Sequence, residues 1–244
     1  MGPDQRNPAV PQSAGAMPAP RELLEHLRGQ RPALLDLLRR MTEAESPSDV
    51  PEAQQAIRQI IGEAFRALGY RVRNIPGRSS GGMLHARPVE RRHGGPAQLI
   101  LGHYDTVWPL GTLNRMPFDH DDDVVRGPGV YDMKGGVAQA VFALGALAHF
   151  GVEPRVTPHV FLNSDEEIGS RESRRYIESL AAHMERVFVL EPSLGIDGKL
   201  KTARKGIGRF TVTVSGEAAH AGLDPGAGAS AILELSHVIQ TLFA

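Results

Sequence analysis

A chain of 244 residues with 41% hydrophobic residues, 23% charged residues and a formal net charge of -1 has the make-up of a soluble globular protein able to bury a core. The near-zero charge argues against a nucleic-acid or anionic-membrane surface, and no apolar run approaches the roughly 20 residues that span a bilayer. The absence of cysteine removes disulfides, thiol nucleophiles and thiolate metal sites together, so any metal must be held by His, Asp or Glu. Residues 1–20 are rich in Pro and Ala without an apolar signal core and read as a disordered tail on a cytoplasmic protein. Over residues 21–41 the spacing of Leu23, Leu24, Leu27, Leu34, Leu35, Leu38 and Met41 is helical, and Pro32 divides it into two short helices. After the turn residues Ser46-Pro47-Ser48, Asp49 and Glu52 have capping-box spacing. They are expected to open a helix with the apolar stripe Ile57, Ile60, Ile61, Phe65 and Leu68, which Gly69 stops.

Strands and helices then alternate. Strands are predicted at 70–75, 83–89, 99–101, 157–163 and 186–190, and helices at 136–150 and 171–183. Apolar strands interleaved with helices imply an α/β sheet covered on both faces, with ligands gathering at the carboxyl ends of the strands. Near Lys205 the pattern changes: Phe210, Val212 and Val214 alternate with polar residues as in a half-exposed strand, and a helix is predicted over 229–243. These read as the first strand and helix of a second domain.

Three segments follow predicted strands or open a helix: Gly102-His103-Tyr104-Asp105-Thr106-Val107, the run Gly127-Pro128-Gly129 through Asp132 to Gly136, and Asn163-Ser164-Asp165-Glu166-Glu167-Ile168-Gly169-Ser170. Each alone has a bland reading, as a hydrogen-bonded His/Asp pair or as acidic compensation of a helix N-terminus. Together they place ionisable groups at the ends of several apolar strands, which is costly unless the groups converge on something charged.

With these ordered motifs, from about residue 34 to the end, the chain resembles the co-catalytic zinc exopeptidases. That family includes glutamate carboxypeptidase of the carboxypeptidase G type, acetylornithine deacetylase, succinyl-diaminopimelate desuccinylase and aminoacylase, and the likeness is greatest to the glutamate carboxypeptidases. The resemblance implies a mixed sheet flanked by helices over residues 21–204, and the beginning of an α+β lid, or dimerisation, domain over 205–244. It makes His103 and Glu191 ligands of a first zinc, Asp132 the carboxylate bridging two zincs, Glu167 a ligand of the second, and Glu166 the general base. Two Zn²⁺ ions are implied, with Co²⁺ able to substitute. Borderline and hard donors suit Zn²⁺, and a bridging carboxylate holds two such ions about 3.5–4 Å apart. Asp105 would fix the tautomer of His103, or is simply a turn residue. A cis peptide is implied at Asp132-Met133. His220, in Gly216-Glu217-Ala218-Ala219-His220-Ala221-Gly222, would stabilise an oxyanion across a homodimer, or is an ordinary loop histidine.

The reaction implied is hydrolysis of an amide bond in a small peptide or N-acyl amino acid, with neither nucleic acid nor membrane as partner. The identity of Glu191, where related aminopeptidases carry Asp, favours a C-terminal or N-acyl amino acid substrate. Gly77-Arg78-Ser79-Ser80-Gly81 has the serine-hydrolase elbow pattern, but strand-like residues follow it, which favours a hairpin loop. The third glycine of a dinucleotide fingerprint is missing after Gly127 and Gly129, and His120-Asp121-Asp122-Asp123 reads as a solvated turn.

The second zinc has only Asp132 and Glu167, because the family's third ligand is a His in a later segment. The last histidine, His237, falls in the predicted 229–243 helix. The chain therefore reads as C-terminally truncated, binding one zinc better than two and showing little activity. Its last helix and one sheet edge would be exposed and aggregation-prone. The alternative is a non-catalytic relative that keeps the fold and binds one metal.

Overall fold

The computed structural model describes residues 17–90, 94–195, 197–203, 205, 206 and 208–244. The part of the expected tail up to residue 16 lies outside the described residues. The chain divides into two compact units, one running to Ser193 and the other from Leu194 to Ala244. No described helix is long and apolar enough to cross a membrane.

The first unit begins with α1 (Pro20–Gly29) and α2 (Arg31–Glu43), and Pro32 lies in the first turn of α2, where its missing N–H costs nothing. Helix α3 (Gln54–Ala67) buries Ile57, Ile61 and Phe65, and Gly69, at φ 78°, takes the left-handed conformation that ends it. The expected Asp49–Glu52 capping box does not form. Pro51–Ala53 make a 3₁₀ turn ahead of α3, so the helix starts beyond the reach of Asp49, and no side chain caps it.

Strands β1 (Tyr70–Ile75) and β2 (Met83–Pro88) form an antiparallel hairpin, and Val89, the last residue of the predicted second strand, lies just beyond β2. They are followed by β3 (Ala97–His103), the short hairpin β4 (Asp119–His120) and β5 (Val125–Arg126), α4 (Gly135–His149), β6 (Thr157–Asn163), α5 (Arg174–Ala181) and β7 (Arg186–Val189). Helix α5 is shorter than predicted because residues 171–173 are held as turn by the carboxylate of Asp165. The main sheet runs β1-β2-β6-β3-β7, antiparallel at β1/β2 and β2/β6 and parallel at β6/β3 and β3/β7.

This is a mixed α/β architecture, with helices on both faces of the sheet. Helices α2, α3 and α4 bury one face around Leu38, Met41, Phe65, Leu84, Val141 and Leu162. On the other face Met83, Leu99 and Phe161 pack against Tyr176, Ile177 and Leu180 of α5. Val160 and Phe161 belong to opposite clusters, the period-2 alternation of a strand buried on both sides.

In the second unit, α6 (Ala231–Phe243) is capped by Ser230, whose Oγ accepts from Leu233 N–H at 3.2 Å. The strand expected over Phe210, Val212 and Val214 is absent. Among the described residues that segment has no ladder partner, and a strand without a neighbour leaves its backbone groups unpaired; the bridges present in this unit join Leu194 to Lys199 and Glu217 to Ala229.

Candidate metal centre

Strand ends and one glycine-rich turn build the site. In the parallel register His103 pairs with Asn163, so β3 and β6 stop side by side, and Leu190 N–H donates to Leu101 O at 3.0 Å as the chain leaves β7. His103 closes β3, Glu191 follows β7, and the loop after β6 carries Asp165, Glu166 and Glu167. Asp132 comes from the turn before α4, where the Asp132–Met133 peptide is cis, as the resemblance implies. Gly129, at φ 73°, lets this turn close against Thr106: a Cβ there would lie 2.5 Å from Thr106 Cγ2.

His103, Asp132 and Glu191 converge, each offering one donor atom, with the three atoms within 4.8 Å of one another. His103 Nε2 lies 3.1 Å from Asp132 Oδ1 and 3.5 Å from Glu191 Oε1. Two donors each about 2.0–2.1 Å from a tetrahedral zinc are roughly 3.4 Å apart, so the set fits that ion. His103 is buried, Glu191 is partly buried and Asp132 faces the open side.

Electrostatics point the same way. Burial works against charge on the His103 ring, but the carboxylates of Asp105 and Glu191 outweigh it and push the imidazole up to about 11. Burial, followed by the charge of Glu191, raises the Asp132 carboxyl above its ordinary value, against the pull of His103. Burial also raises Glu166, and it raises Glu167 to about 7; the charges of His103, Asp105 and Asp132 reach both. Carboxylates crowded this closely repel one another, and a dication relieves that repulsion.

Asp105 is fully buried. Its Oδ1 lies 3.3 Å from His103 Nδ1 and accepts from Glu166 N–H at 3.3 Å; its Oδ2 accepts from Ser48 Oγ at 2.7 Å and Glu167 N–H at 3.2 Å. The shorter contact of His103 Nδ1 is to the Asp105 carbonyl, at 3.0 Å. Glu167 does not join the three-donor group. His220, in the second unit, is exposed, and its Nδ1 accepts from Gly222 N–H at 3.1 Å.

Three other residues shape the site although sequence reasoning gave them no role. By its sequence Ser48 is only part of a turn. Asp165, buried, accepts from Asn163 Nδ2 at 3.1 Å, Glu172 N–H at 2.8 Å and Ser173 N–H at 3.2 Å, which closes the loop presenting Glu166 and Glu167. Lys134 is buried beneath the Gly129 turn, and burial pushes its amine down to about 7 against the charge of Glu45. An Asp leading an acidic triplet and a Lys inside a glycine-rich run were visible signals, but their partners were not.

The two decoys are turns. Gly77-Arg78-Ser79-Ser80-Gly81 links β1 to β2, and Glu172 accepts there from Arg78 N–H at 2.6 Å and Ser80 Oγ at 2.8 Å. Asp121 closes the β4–β5 turn by accepting from the N–H groups of Asp123 and Val124.

The family model for peptidase family M20/M25/M40 matches residues 99–237. Carboxypeptidase G2 of Pseudomonas sp. (strain RS-16) is 31% identical over 220 residues, covering 89% of this chain and 52% of the relative. Succinyl-diaminopimelate desuccinylase of Rhodospirillum rubrum is 30% identical over 193 residues, covering 71% of this chain and 48% of the relative. Among solved structures, aminopeptidase PepT of Bacillus cereus superposes with a TM-score of 0.64 at 18% identity, covering 85% of this chain and 55% of the other, a likeness of fold. The chain spans about half the length of the curated relatives it matches.

Proposed function

The chain belongs to peptidase family M20/M25/M40, and from that membership we propose that its site serves metal-assisted hydrolysis of an amide bond to a C-terminal or N-acyl amino acid, in the manner of a glutamate carboxypeptidase. The observation that carries the proposal is the convergence of His103, Asp132 and Glu191 from separate segments onto one point. In this reading those three residues would hold one Zn²⁺, and Asp132 and Glu167 would be ligands of a second. Zinc held there would supply Lewis-acid polarisation of the scissile carbonyl and would bring the pKa of water toward about 7. Glu166 takes the proton of the attacking water and returns it to the departing amine, a role favoured by a carboxyl raised toward the working pH. Asp105 holds the His103 ring in orientation. His220 serves a partner's site in a homodimer, donating to the oxyanion.

The test is zinc content per chain by mass spectrometry, alongside hydrolysis of a panel containing N-acyl-glutamate, other N-acyl amino acids and free dipeptides. Bound zinc is expected, with any turnover confined to the acylated substrates; exclusive dipeptide cleavage defeats the substrate assignment, and a metal-free chain defeats the centre. A second reading, a protein that binds one metal without cleaving, draws on the donor sets: among the described residues one group of three donors, His103, Asp132 and Glu191, comes together, and Glu167 does not join it.

A further inference from the structure

We infer that Ser48 is a positioning residue for the metal centre, acting through Asp105 on both donor sets at once; the inference rests on the metallohydrolase reading above. Ser46-Pro47-Ser48, a turn by its sequence, forms a short parallel bridge with the continuation of β3. Thr106 N–H donates to Ser46 O at 2.9 Å, Ser48 N–H donates to Thr106 O at 3.1 Å, and Pro47 pairs with Thr106. The bridge delivers the buried Ser48 hydroxyl to Asp105. The hydroxyl has one proton to give. Asp105 Oδ2 lies at 2.7 Å and the Thr106 carbonyl at 3.3 Å, so the charged acceptor takes it.

The rotation of Asp105 decides what else the carboxylate can do. One oxygen faces His103 Nδ1 and the amide of Glu166, and the other accepts from the amide of Glu167. Both oxygens belong to one rigid group, so turning it to recover a lost partner spoils the remaining contacts together. Ser48 thereby holds the ring of a first-metal ligand and the backbone of the residues assigned as base and second-metal ligand. The same bridge contains a control, because Ser46 Oγ donates to Tyr104 O at 2.7 Å and does not touch Asp105.

The experiment uses the full chain and the variants Ser48→Ala, Ser48→Thr and Ser46→Ala. Amide hydrogen exchange at Glu166 and Glu167 is measured by NMR in the metal-free protein, and zinc affinity by competition with a chromophoric chelator. Ser48→Ala is expected to speed exchange at both amides and to weaken zinc about tenfold, the lower end for loss of an outer partner. Ser48→Thr, which keeps the hydroxyl, and Ser46→Ala should match the parent chain in both readouts. Equal exchange in the parent and Ser48→Ala overturns the inference, as does faster exchange with unchanged zinc affinity. An equal effect from Ser46→Ala, or loss of the fold in Ser48→Ala, also overturns it, because Ser48 is then a structural residue only. Absence of zinc binding by the parent chain sinks the metal reading instead, and the exchange data still decide whether Ser48 sets the loop.

Discussion

Glu166 and Glu167 are adjacent and chemically identical, yet the fold gives them different surroundings. Glu166 is the more open to solvent of the two, and burial raises both carboxyls, that of Glu167 to about 7. Glu166→Gln is therefore expected to leave zinc content unchanged and to lower turnover about 10²–10⁴-fold, read as kcat on an N-acyl-glutamate beside metal analysis of the same sample. Unchanged kcat removes Glu166 from the role of base. Glu191→Gln should behave oppositely, because it takes one of three donors from the first set. Zinc affinity should fall by more than the roughly tenfold that loss of an outer partner costs, and further than in Glu167→Gln. Equal affinities in the two variants would show that the three-donor set is not the tight site.

At the scale of elements, the turn before α4 and the loop before α5 are held by different means, and each means predicts something. Gly129 combines a positive φ with a wall at 2.5 Å, whereas Gly151, at φ 62°, has nothing within 4 Å of a built Cβ. Gly151→Ala should cost about 1–2 kcal/mol from backbone conformation alone, and Gly129→Ala should cost more; denaturant midpoints measure the difference. The loop before α5 is tied to the β1–β2 turn through Glu172. Burial raises that carboxyl, but hydrogen bonds led by Arg78 N–H and Ser80 Oγ outweigh burial and hold it below its ordinary value. A depressed carboxyl adds stability that is full above its unfolded value, near 4.5, and is lost as pH falls through the folded value. Glu172→Gln should thus cost about 1 kcal/mol at neutral pH and progressively less below pH 4.5, seen as a flattened acid limb in the melting temperature.

The limits of sequence reading also lie at this scale. The run at 157–163 has the predicted bounds of β6 because an apolar stretch with clear ends leaves little choice. The resemblance singles out His103, Asp132 and Glu191, and the fold brings these three together. Phe210, Val212 and Val214 show a strand pattern, but alternation describes a face and supplies no partner. The contact of Ser48 with Asp105, 57 residues along the chain, left no local trace: a Ser-Pro-Ser turn looks the same whether or not a carboxylate waits beside it.

For the molecule as a whole, the donor sets predict a metal stoichiometry. Three donors converge on the first position, and the proposed function gives the second only Asp132 and Glu167, so titration with zinc should show one ion held more tightly than the next. Two equal, tight sites would show that another donor had been missed. The strand order β1-β2-β6-β3-β7 bears on how the protein is made. The central strand β6 is the common neighbour of β2 and β3, yet it leaves the ribosome after both, separated from β3 by the whole of α4. Until residue 163 has emerged, the β1–β2 hairpin and β3 have no shared strand to dock on, and each keeps an apolar edge open. Stalled nascent chains exposing residues up to 155 should therefore be digested readily by protease, and those exposing β6 and α5 should gain protection in a single step. Gradual protection would mean that the early hairpin finds another way to shield its edge while it waits.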